Sequence, residues 1–224
     1  MKRLVLAGIG ALSLATVMSA ANAADLPRRE QAMPVKAPAY VSYNWTGGYV
    51  GINGGYGWGR SNFQGVPTTG SFDVNGLLIG VTAGYNQQVG QAVFCIEADL
   101  DYNDMRGSAV CGAFTCGTRA PWLGTARGRI GYAFDRFMPY LTGGLAFGDI
   151  KASTTGFPGA TQTKLGWTLG GGVEFALVGP WTAKLEYLYA DLGTFDCGAA
   201  CTATPPQNVS FRTNIVRAGI NYRF

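Results

Sequence analysis

The amino-acid sequence predicts an all-β fold, an eight-stranded antiparallel transmembrane β-barrel with short turns at one end and long loops at the other. Glycine (34 residues) and aromatic residues (12 Phe, 11 Tyr and 5 Trp) are abundant in the 224 residues, and both favour strands and turns over helices. Apolar residues alternate with small or polar residues in segments of about a dozen, as in transmembrane strands. The connections between these segments are alternately short and long.

Eight segments carry the alternation, near residues 46–58, 77–87, 92–102, 122–134, 140–147, 166–177, 181–192 and 211–224. The short connections are 88–91, 135–139 and 178–180, and the long ones are 59–76, 103–121, 148–165 and 193–210. Barrels of bacterial outer membranes have short periplasmic turns and long extracellular loops. The asymmetry therefore predicts which end of the barrel faces the periplasm and which faces the outside.

The N-terminal residues are expected to lie outside the barrel. Residues 1–23 combine Lys2 and Arg3, an apolar run over 4–17 and a small-residue stretch ending at Ala23, which is typical of a secretory signal peptide for the Sec pathway. The apolar run is too short for a membrane-spanning helix, which needs about 20 residues. Removal of this segment would lower the net charge from +4 to +2.

Residues 24–44 contain three prolines and show no periodicity, which predicts an extended periplasmic linker before a barrel over 45–224. Its few basic residues leave open a second interpretation, a tether for an acidic partner. The low net charge argues against nucleic acid as a partner. The chain has no histidine, so the usual general base and the commonest metal ligand are missing, and no cofactor or metal is expected.

A glycine repeat supports the strand count. Gly84, Gly131, Gly172 and Gly219 follow one another at spacings of 47, 41 and 47 residues, each late in an even-numbered segment. They are therefore expected at equivalent heights, all facing the barrel interior. In the sixth segment this phase places Trp167 and its odd-numbered apolar neighbours on the outer face.

The same phase gathers the charges of the barrel on its inner face. Five acids and five bases are predicted there: Glu97, Asp99, Asp101, Glu174 and Glu186, with Arg127, Arg129, Lys184, Arg217 and Arg223. Buried charges are tolerated when they are paired, so these residues predict a salt-bridged lumen. A catalytic pair among Glu97, Asp99 and Glu174 is the alternative, but eight strands enclose an interior that side chains fill.

Five cysteines are unusual for such a barrel. Cys111 and Cys116 fall in the second long loop and Cys197 and Cys201 in the fourth, which suggests the local disulfides Cys111–Cys116 and Cys197–Cys201 in an oxidising compartment. Cross-loop pairing stays open, and a four-thiolate zinc site is disfavoured by the spacing. Cys95 is predicted to be a buried free thiol that faces the lumen.

Aromatic residues at the two ends of the strands predict interfacial girdles that face lipid. The group at the short-turn end is Tyr85, Phe94, Phe134, Phe175, Trp181, Tyr222 and Phe224, and the group at the other end is Tyr56, Trp58, Tyr102, Trp122, Phe147 and Trp167. In a soluble barrel these side chains would point inward instead.

Arg217, Gly219, Tyr222 and Phe224 form a pattern at the chain end that resembles the C-terminal signal read by the barrel-assembly machinery. With the segments 45–51, 124–132 and 185–193, the sequence resembles small Gram-negative outer-membrane proteins with an OmpA-like eight-stranded barrel, also called porin-like. The resemblance covers 45–224. It implies insertion by that machinery, residence among outer-membrane lipids and surface roles for the loops, such as the haemin binding claimed for some relatives. Tyrosine could then replace histidine as an axial ligand.

These features together predict a structural or surface-recognition protein whose extracellular loops meet an unidentified partner. A narrow channel for small solutes is the alternative, and an outer-membrane enzyme is a third, which the missing histidine disfavours.

Overall fold

The computed structural model describes residues 43–64, 70–111, 114–196 and 208–224, and these form a closed antiparallel barrel in which each strand pairs with its neighbours in sequence and β8 pairs with β1. The strands are β1 (Gly47–Gln64), β2 (Gly70–Val89), β3 (Ala92–Cys111), β4 (Phe114–Tyr132), β5 (Phe137–Thr154), β6 (Ala160–Ala176), β7 (Trp181–Asp196) and β8 (Asn208–Arg223). The predicted fold class is confirmed. In this described part no helix is long and apolar enough to cross a membrane. The predicted signal peptide and most of the predicted linker lie outside the described residues.

Strand alternation sorts the side chains as the sequence predicts. In β6, Trp167 and Leu169 are exposed on the outer wall, whereas Thr168 and Glu174 are buried inside. The repeated glycines also face inward, because a Cβ added to Gly84 or Gly172 would meet a lumen tyrosine. The inner face can therefore be polar while the outer face is apolar, as a membrane barrel requires.

The predicted lengths of the long loops are wrong. The strands contain 16 to 20 residues, and most of residues 59–76, 103–121 and 148–165 belongs to paired strand. A membrane-crossing strand needs only about 9–11 residues. Above the membrane the outer face no longer has to be apolar, so the alternation fades while the hydrogen-bonded ladder continues. The barrel wall therefore extends well beyond the lipid on the long-loop side.

A β-bulge lies near the outer boundary of the membrane. The pairing of β4 with β5 shifts between Arg119 and Trp122, where Ala120 and Pro121 oppose a single residue of β5. Proline is tolerated at such a bulge because no ladder donor is needed there. The extra residue reverses the alternation, so Arg127 faces inward and Arg119 faces outward although both positions are odd-numbered.

The two predicted girdles are confirmed. Every aromatic side chain predicted for them is exposed on the outer wall. Several of them make edge-to-face contacts across strands, such as Tyr102 with Trp122 at a centroid distance of 5.2 Å and Trp181 with Tyr222 at 5.1 Å. Between the girdles the outer wall carries exposed aliphatic side chains such as Ile79, Ile96 and Leu141.

The barrel interior has three layers. An apolar cluster around Trp45, Val93 and Met138 fills the periplasmic end. Charged side chains fill the middle. A larger apolar cluster, which includes Phe72, Met105 and Ile150, fills the extracellular part of the barrel. Only the middle layer is predicted by the sequence pattern.

Candidate functional site

The charged middle layer brings nine of the ten predicted lumen residues together: Glu97, Asp99, Asp101, Arg127, Arg129, Glu174, Lys184, Glu186 and Arg217, all buried. They come from β3, β4, β6, β7 and β8, because inward positions at mid-height on these strands face one another across the lumen. Five acids face four bases, so the layer is not charge-balanced as predicted.

Glu97 lies at the periplasmic side of this layer and contacts three cations. Arg127 Nη2 lies 2.5 Å, Arg129 Nη1 2.9 Å and Lys184 Nζ 3.0 Å from its carboxylate oxygens. These partners come from β4 and β7. A single carboxylate therefore ties two distant walls of the barrel together.

Arg217 organises the extracellular side of the layer. Its guanidinium lies 2.8 Å from Asp99, 2.9 Å from Asp101 and 2.8 Å from Glu186. Arg127 also contacts Asp99 at 2.7 Å and Glu186 at 3.0 Å, so the two arginines share two carboxylates. A planar guanidinium presents five N–H donors, which explains how four bases can satisfy five acids.

Hydroxyl groups supply the donors that the missing base would have provided. Asp99 accepts hydrogen bonds from Thr125 at 2.6 Å and Thr82 at 3.0 Å, and Glu174 accepts one from Thr182 at 2.6 Å. Neutral donors of this kind stabilise a buried carboxylate without adding charge. These threonines are inward-facing residues whose role the sequence analysis missed.

Two lumen tyrosines were also missed. Tyr49 donates a 2.5 Å hydrogen bond to Glu97 and accepts one from Arg129 at 2.9 Å. Tyr140 donates to Glu186 at 3.1 Å, and the Arg129 guanidinium lies 3.8 Å from the centre of its ring. Their inward phase could have identified them, since each lies two residues from another inward position on its strand.

The prediction that Arg223 belongs to the lumen charge layer is wrong. Arg223 lies at the periplasmic rim, where it donates hydrogen bonds to the carbonyl oxygens of Asn44 at 2.7 Å and Thr46 at 3.0 Å. It also lies over the rings of Tyr43 and Trp45. At the last residue of β8 the lumen is already filled by the apolar cluster, so Arg223 lies below the buried carboxylates of the described residues.

Arg129 pairs with two carboxylates. These are Glu97 and Glu174, the latter at 2.7 Å, while Glu186 is bound by Arg127 and Arg217. Glu174 faces Arg129 because both lie close to the periplasmic ends of their strands.

Trp45 closes the periplasmic end of the lumen. It is fully buried, its indole N–H donates to the carbonyl oxygen of Asp135 at 2.9 Å, and its backbone N–H donates to Gln88 at 2.7 Å. Asp135 also accepts from the Tyr43 backbone and has a positive φ of 55°. The residue predicted to begin the barrel thus folds inward across its opening.

The cysteines divide between the described and undescribed parts. Cys95 is a buried free thiol in the lumen, as predicted, and lies 3.2 Å from the Tyr49 hydroxyl. Cys116 is not in a loop but is buried within β4, opposite Ala109 of β3. Cys111 ends β3, where only its backbone is described, and Cys197 and Cys201 lie outside the described residues. The disulfides therefore stay predictions.

The residues of the resembled C-terminal signal occupy alternate faces of β8. Arg217 and Gly219 face the lumen, whereas Tyr222 and Phe224 are exposed on the outer wall. Tyr222 makes an edge-to-face contact with Trp181, and the Phe224 backbone N–H donates to the carbonyl oxygen of Gly48 of β1, which closes the barrel.

Chemically, the middle layer is an enclosed ion-pair network. Each of its carboxylates contacts at least one guanidinium, and all its side chains are buried between two apolar layers. Carboxylates held this way act as structural anions and have no access to a substrate in this arrangement. Within the described residues, no group of metal-ligating side chains is assembled.

Comparisons with known proteins identify one protein family along most of the chain. A family model described as outer membrane protein beta-barrel domain matches residues 10–224. The chain is 38% identical over 251 residues to a 31 kDa outer-membrane immunogenic protein of Brucella melitensis, with full coverage of both chains. It is 35% identical over 163 residues to a 22 kDa outer membrane protein of Rhizobium leguminosarum, covering 72% of this chain and 71% of that one.

Among solved structures, the chain is similar to Neisserial surface protein A, with 16% identity, a TM-score of 0.48 and coverage of 80% of this chain and 98% of that one. The family match and the full-length relative establish both location and family. The chain belongs to the outer membrane protein beta-barrel domain family and is a protein of the Gram-negative outer membrane.

Proposed function

We propose that this protein has a structural and surface-recognition role, carried by the extracellular rim of the barrel, and that it does not conduct solutes. The observation that carries the proposal is the three-layered lumen. A solute would have to pass Trp45, the ion-pair layer and the cluster around Phe72 and Met105, and each layer consists of buried side chains. Opening such a path would break several buried ion pairs, each costing about 3–5 kcal/mol.

The extracellular rim is the part of the molecule left for recognition. At this end the strands continue above the membrane as a rigid wall, and the described turn 155–159 lies at its rim. Phe114 and Phe157 make an edge-to-face contact at 5.9 Å, which ties two neighbouring hairpins together at this rim. Loops held by a rigid scaffold are common sites of binding. Names such as outer-membrane immunogenic protein among the relatives agree with an exposed rim.

Two roles from the sequence analysis are kept as part of this proposal. The exposed Tyr222 and Phe224 at the end of β8 serve the barrel-assembly machinery during insertion, and the apolar outer wall then contacts outer-membrane lipid. Catalysis is not part of the proposed role, since the carboxylates that could have formed an acid–base pair are all in ion pairs.

Conductance separates recognition from the alternative, a narrow channel for small solutes. Refolded protein, verified by heat-modifiable gel migration, is recorded in planar bilayers, with a porin of known conductance as the positive control. The expected result is no steady opening. Reproducible steady openings of the wild-type barrel overturn the closed-lumen proposal.

Recognition is tested on cells that display the protein. One variant replaces residues 197–207 with a short Gly-Ser turn, and the matched control replaces the periplasmic turn 177–180 in the same way. Adhesion to immobilised matrix proteins and polysaccharides is expected to fall only in the rim variant, while both variants keep heat-modifiable migration. Equal adhesion of wild type, rim variant and cells without the protein contradicts the rim role.

A further inference from the structure

A row of basic side chains lies on the outer wall of the barrel, separate from the lumen and from the rim. Arg106 of β3 pairs directly with Arg119 of β4, and Arg119 pairs directly with Lys151 of β5. All three side chains are exposed. Residues directly opposite one another on neighbouring strands have Cβ atoms about 4.5–5.5 Å apart, and like charges placed there repel. This basic row therefore has an electrostatic cost that a bound anion would remove.

The acids near the basic row only partly neutralise it. Asp104 contacts Arg106 and lies 3.5 Å from Arg119. Asp149 lies two residues before Lys151 on β5 and accepts a hydrogen bond from Thr163 at 2.7 Å. In the described part of the chain, no ion pair is formed by Lys151. Three bases thus share two acids, of which one contacts the row.

A second pair of opposed arginines shows that this imbalance is local. Arg60 of β1 pairs directly with Arg212 of β8, which is the same geometry. Each of them has its own acid, however: Asp73 lies 3.3 Å from Arg60, and Asp191 lies 2.9 Å from Arg212. The uncompensated positive charge belongs to the β3–β5 sector.

The height of the basic row matches the lipid headgroups. Arg106 lies four residues beyond Tyr102, and Arg119 lies three residues before Trp122. Tyr102 and Trp122 form an edge-to-face pair of the outer girdle. At roughly 3.3 Å per residue this is about 10–13 Å along the strands, or about 8–10 Å above the girdle for strands tilted by about 40°. Girdle aromatics lie at the membrane interface, so the row lies at the outer edge of the headgroup region.

A furrow in the lipid-facing wall lies below the same sector. Ala83, Ala98 and Ala126 are exposed and directly opposite one another on β2, β3 and β4. Larger side chains, among them Tyr85 and Ile96, line the furrow with them. The furrow and the basic row share β3 and β4. An acyl chain in the furrow could therefore belong to a lipid whose headgroup reaches the basic row.

We propose that the basic row Arg106, Arg119 and Lys151 is a binding site for a phosphorylated lipid headgroup of the outer leaflet, with an acyl chain in the furrow over Ala98 and Ala126. Guanidinium groups bind phosphate through paired hydrogen bonds, and the lysine adds a point charge. The row spans two strand spacings, about 10 Å, which suits a headgroup that carries more than one phosphate.

The test uses the refolded full-length barrel in detergent and follows the temperature of unfolding by heat-modifiable migration as lipid is added. The probes are diphosphorylated lipid A, its dephosphorylated form, and inorganic pyrophosphate alone. The variant is Arg106→Gln, Arg119→Gln, Lys151→Gln. The matched control, Arg60→Gln with Arg212→Gln, removes an opposed pair that is already neutralised.

Diphosphorylated lipid A is expected to raise the unfolding temperature of wild type and control. The triple variant should bind this lipid at least about tenfold more weakly, which corresponds to the loss of one or more strong contacts. Pyrophosphate alone and dephosphorylated lipid are expected to have little effect. Because the triple change relieves repulsion, the variant should fold at least as well without lipid. Equal stabilisation of wild type and triple variant overturns the site, and equal stabilisation by pyrophosphate overturns its assignment to a lipid.

A second variant tests the furrow without touching a charge. Ala98→Phe fills it, and Ala218→Phe, the same exchange on the outer face of β8 away from the furrow, is its control. The response to diphosphorylated lipid A should fall in Ala98→Phe and be kept in Ala218→Phe. An unchanged response in Ala98→Phe overturns the placement of the acyl chain.

Discussion

Tyr140 lies directly opposite Gly172 on the neighbouring strand, and its phenol group occupies the space that a side chain at position 172 would need. Tyr49 and Gly84 have the same relationship on the opposite side of the barrel. An aromatic ring that covers a cross-strand glycine is a known way to stabilise a sheet at that position. The glycine repeat of the sequence therefore includes two positions that let the lumen tyrosines reach the ion-pair layer.

Replacing Gly172 with alanine should destabilise the barrel. The added Cβ would overlap the carbonyl oxygen of Leu185 and lie 2.7 Å from the Tyr140 hydroxyl, so strand and ring must both shift. Overpacking of this kind costs about 1–3 kcal/mol. The urea midpoint of unfolding in micelles measures the loss.

Gly128→Ala is the matched control, because it faces outward and the nearest atom lies 4.0 Å from its added Cβ. Its stability should change by less than about 0.5 kcal/mol. Similar losses for the two variants would mean that glycine flexibility, and not the space taken by Tyr140, governs the effect.

Arg129→Ala should be among the most destabilising single changes in the lumen. It removes the partner of Glu174 at 2.7 Å and one of three cations around Glu97, and it leaves Tyr140 without its cation. Removing one member of a buried ion pair costs about 3–5 kcal/mol. Leu169→Ala, on the lipid-facing wall, is the control in the same urea titration, and an equal or larger loss there would show that the Arg129 site is hydrated.

Trp45→Ala should weaken the periplasmic end of the barrel although Trp45 lies outside the strands. The change empties a fully buried position and removes the hydrogen bond to Asp135. Truncating a buried tryptophan costs about 3–5 kcal/mol. Trp181→Ala removes an exposed girdle tryptophan and should cost less, so the reverse order of unfolding temperatures would contradict closure by Trp45.

Cys95 should resist alkylation until the barrel unfolds. Its thiol is 6% exposed and lies against Tyr49 in the lumen. Peptide mapping after a short pulse of maleimide, with and without urea, measures this protection. Ser108→Cys, on the outer face of β3 above the membrane, should label without urea, and rapid labelling of native Cys95 would mean that the lumen opens.

The strand count, the order of the strands and the inward or outward phase were predictable from the sequence. Alternation decides which face each residue occupies once one face meets lipid, as the burial of Glu174 and the exposure of Trp167 confirm. The same logic predicted nine of the ten lumen charges. It failed for Arg223, because phase gives the face of a residue but not the height at which the lumen becomes apolar.

The length of the wall and the apolar layers could not be predicted in this way. Phe72, Cys116 and Ile150 are buried inside strand segments that the sequence analysis assigned to loops. Outside the membrane a barrel can be apolar inside and polar on its outer surface, which reverses the pattern by which membrane-crossing strands are recognised. The closure by Trp45 depends on a tertiary contact with Asp135, 90 residues away, and no local pattern encodes it.

The bulge at Ala120 and Pro121 determines which changes of length the extracellular hairpins can accept. Directly above it, adding one residue to each strand of the β3–β4 hairpin would keep the pairs within that hairpin in register but exchange the inner and outer faces, so Cys116 and Thr118 would turn outward and Arg119 would turn into the apolar interior. Additions of two residues per strand would preserve both faces. Hairpin length should therefore vary between relatives in steps of two per strand, unless a second bulge compensates.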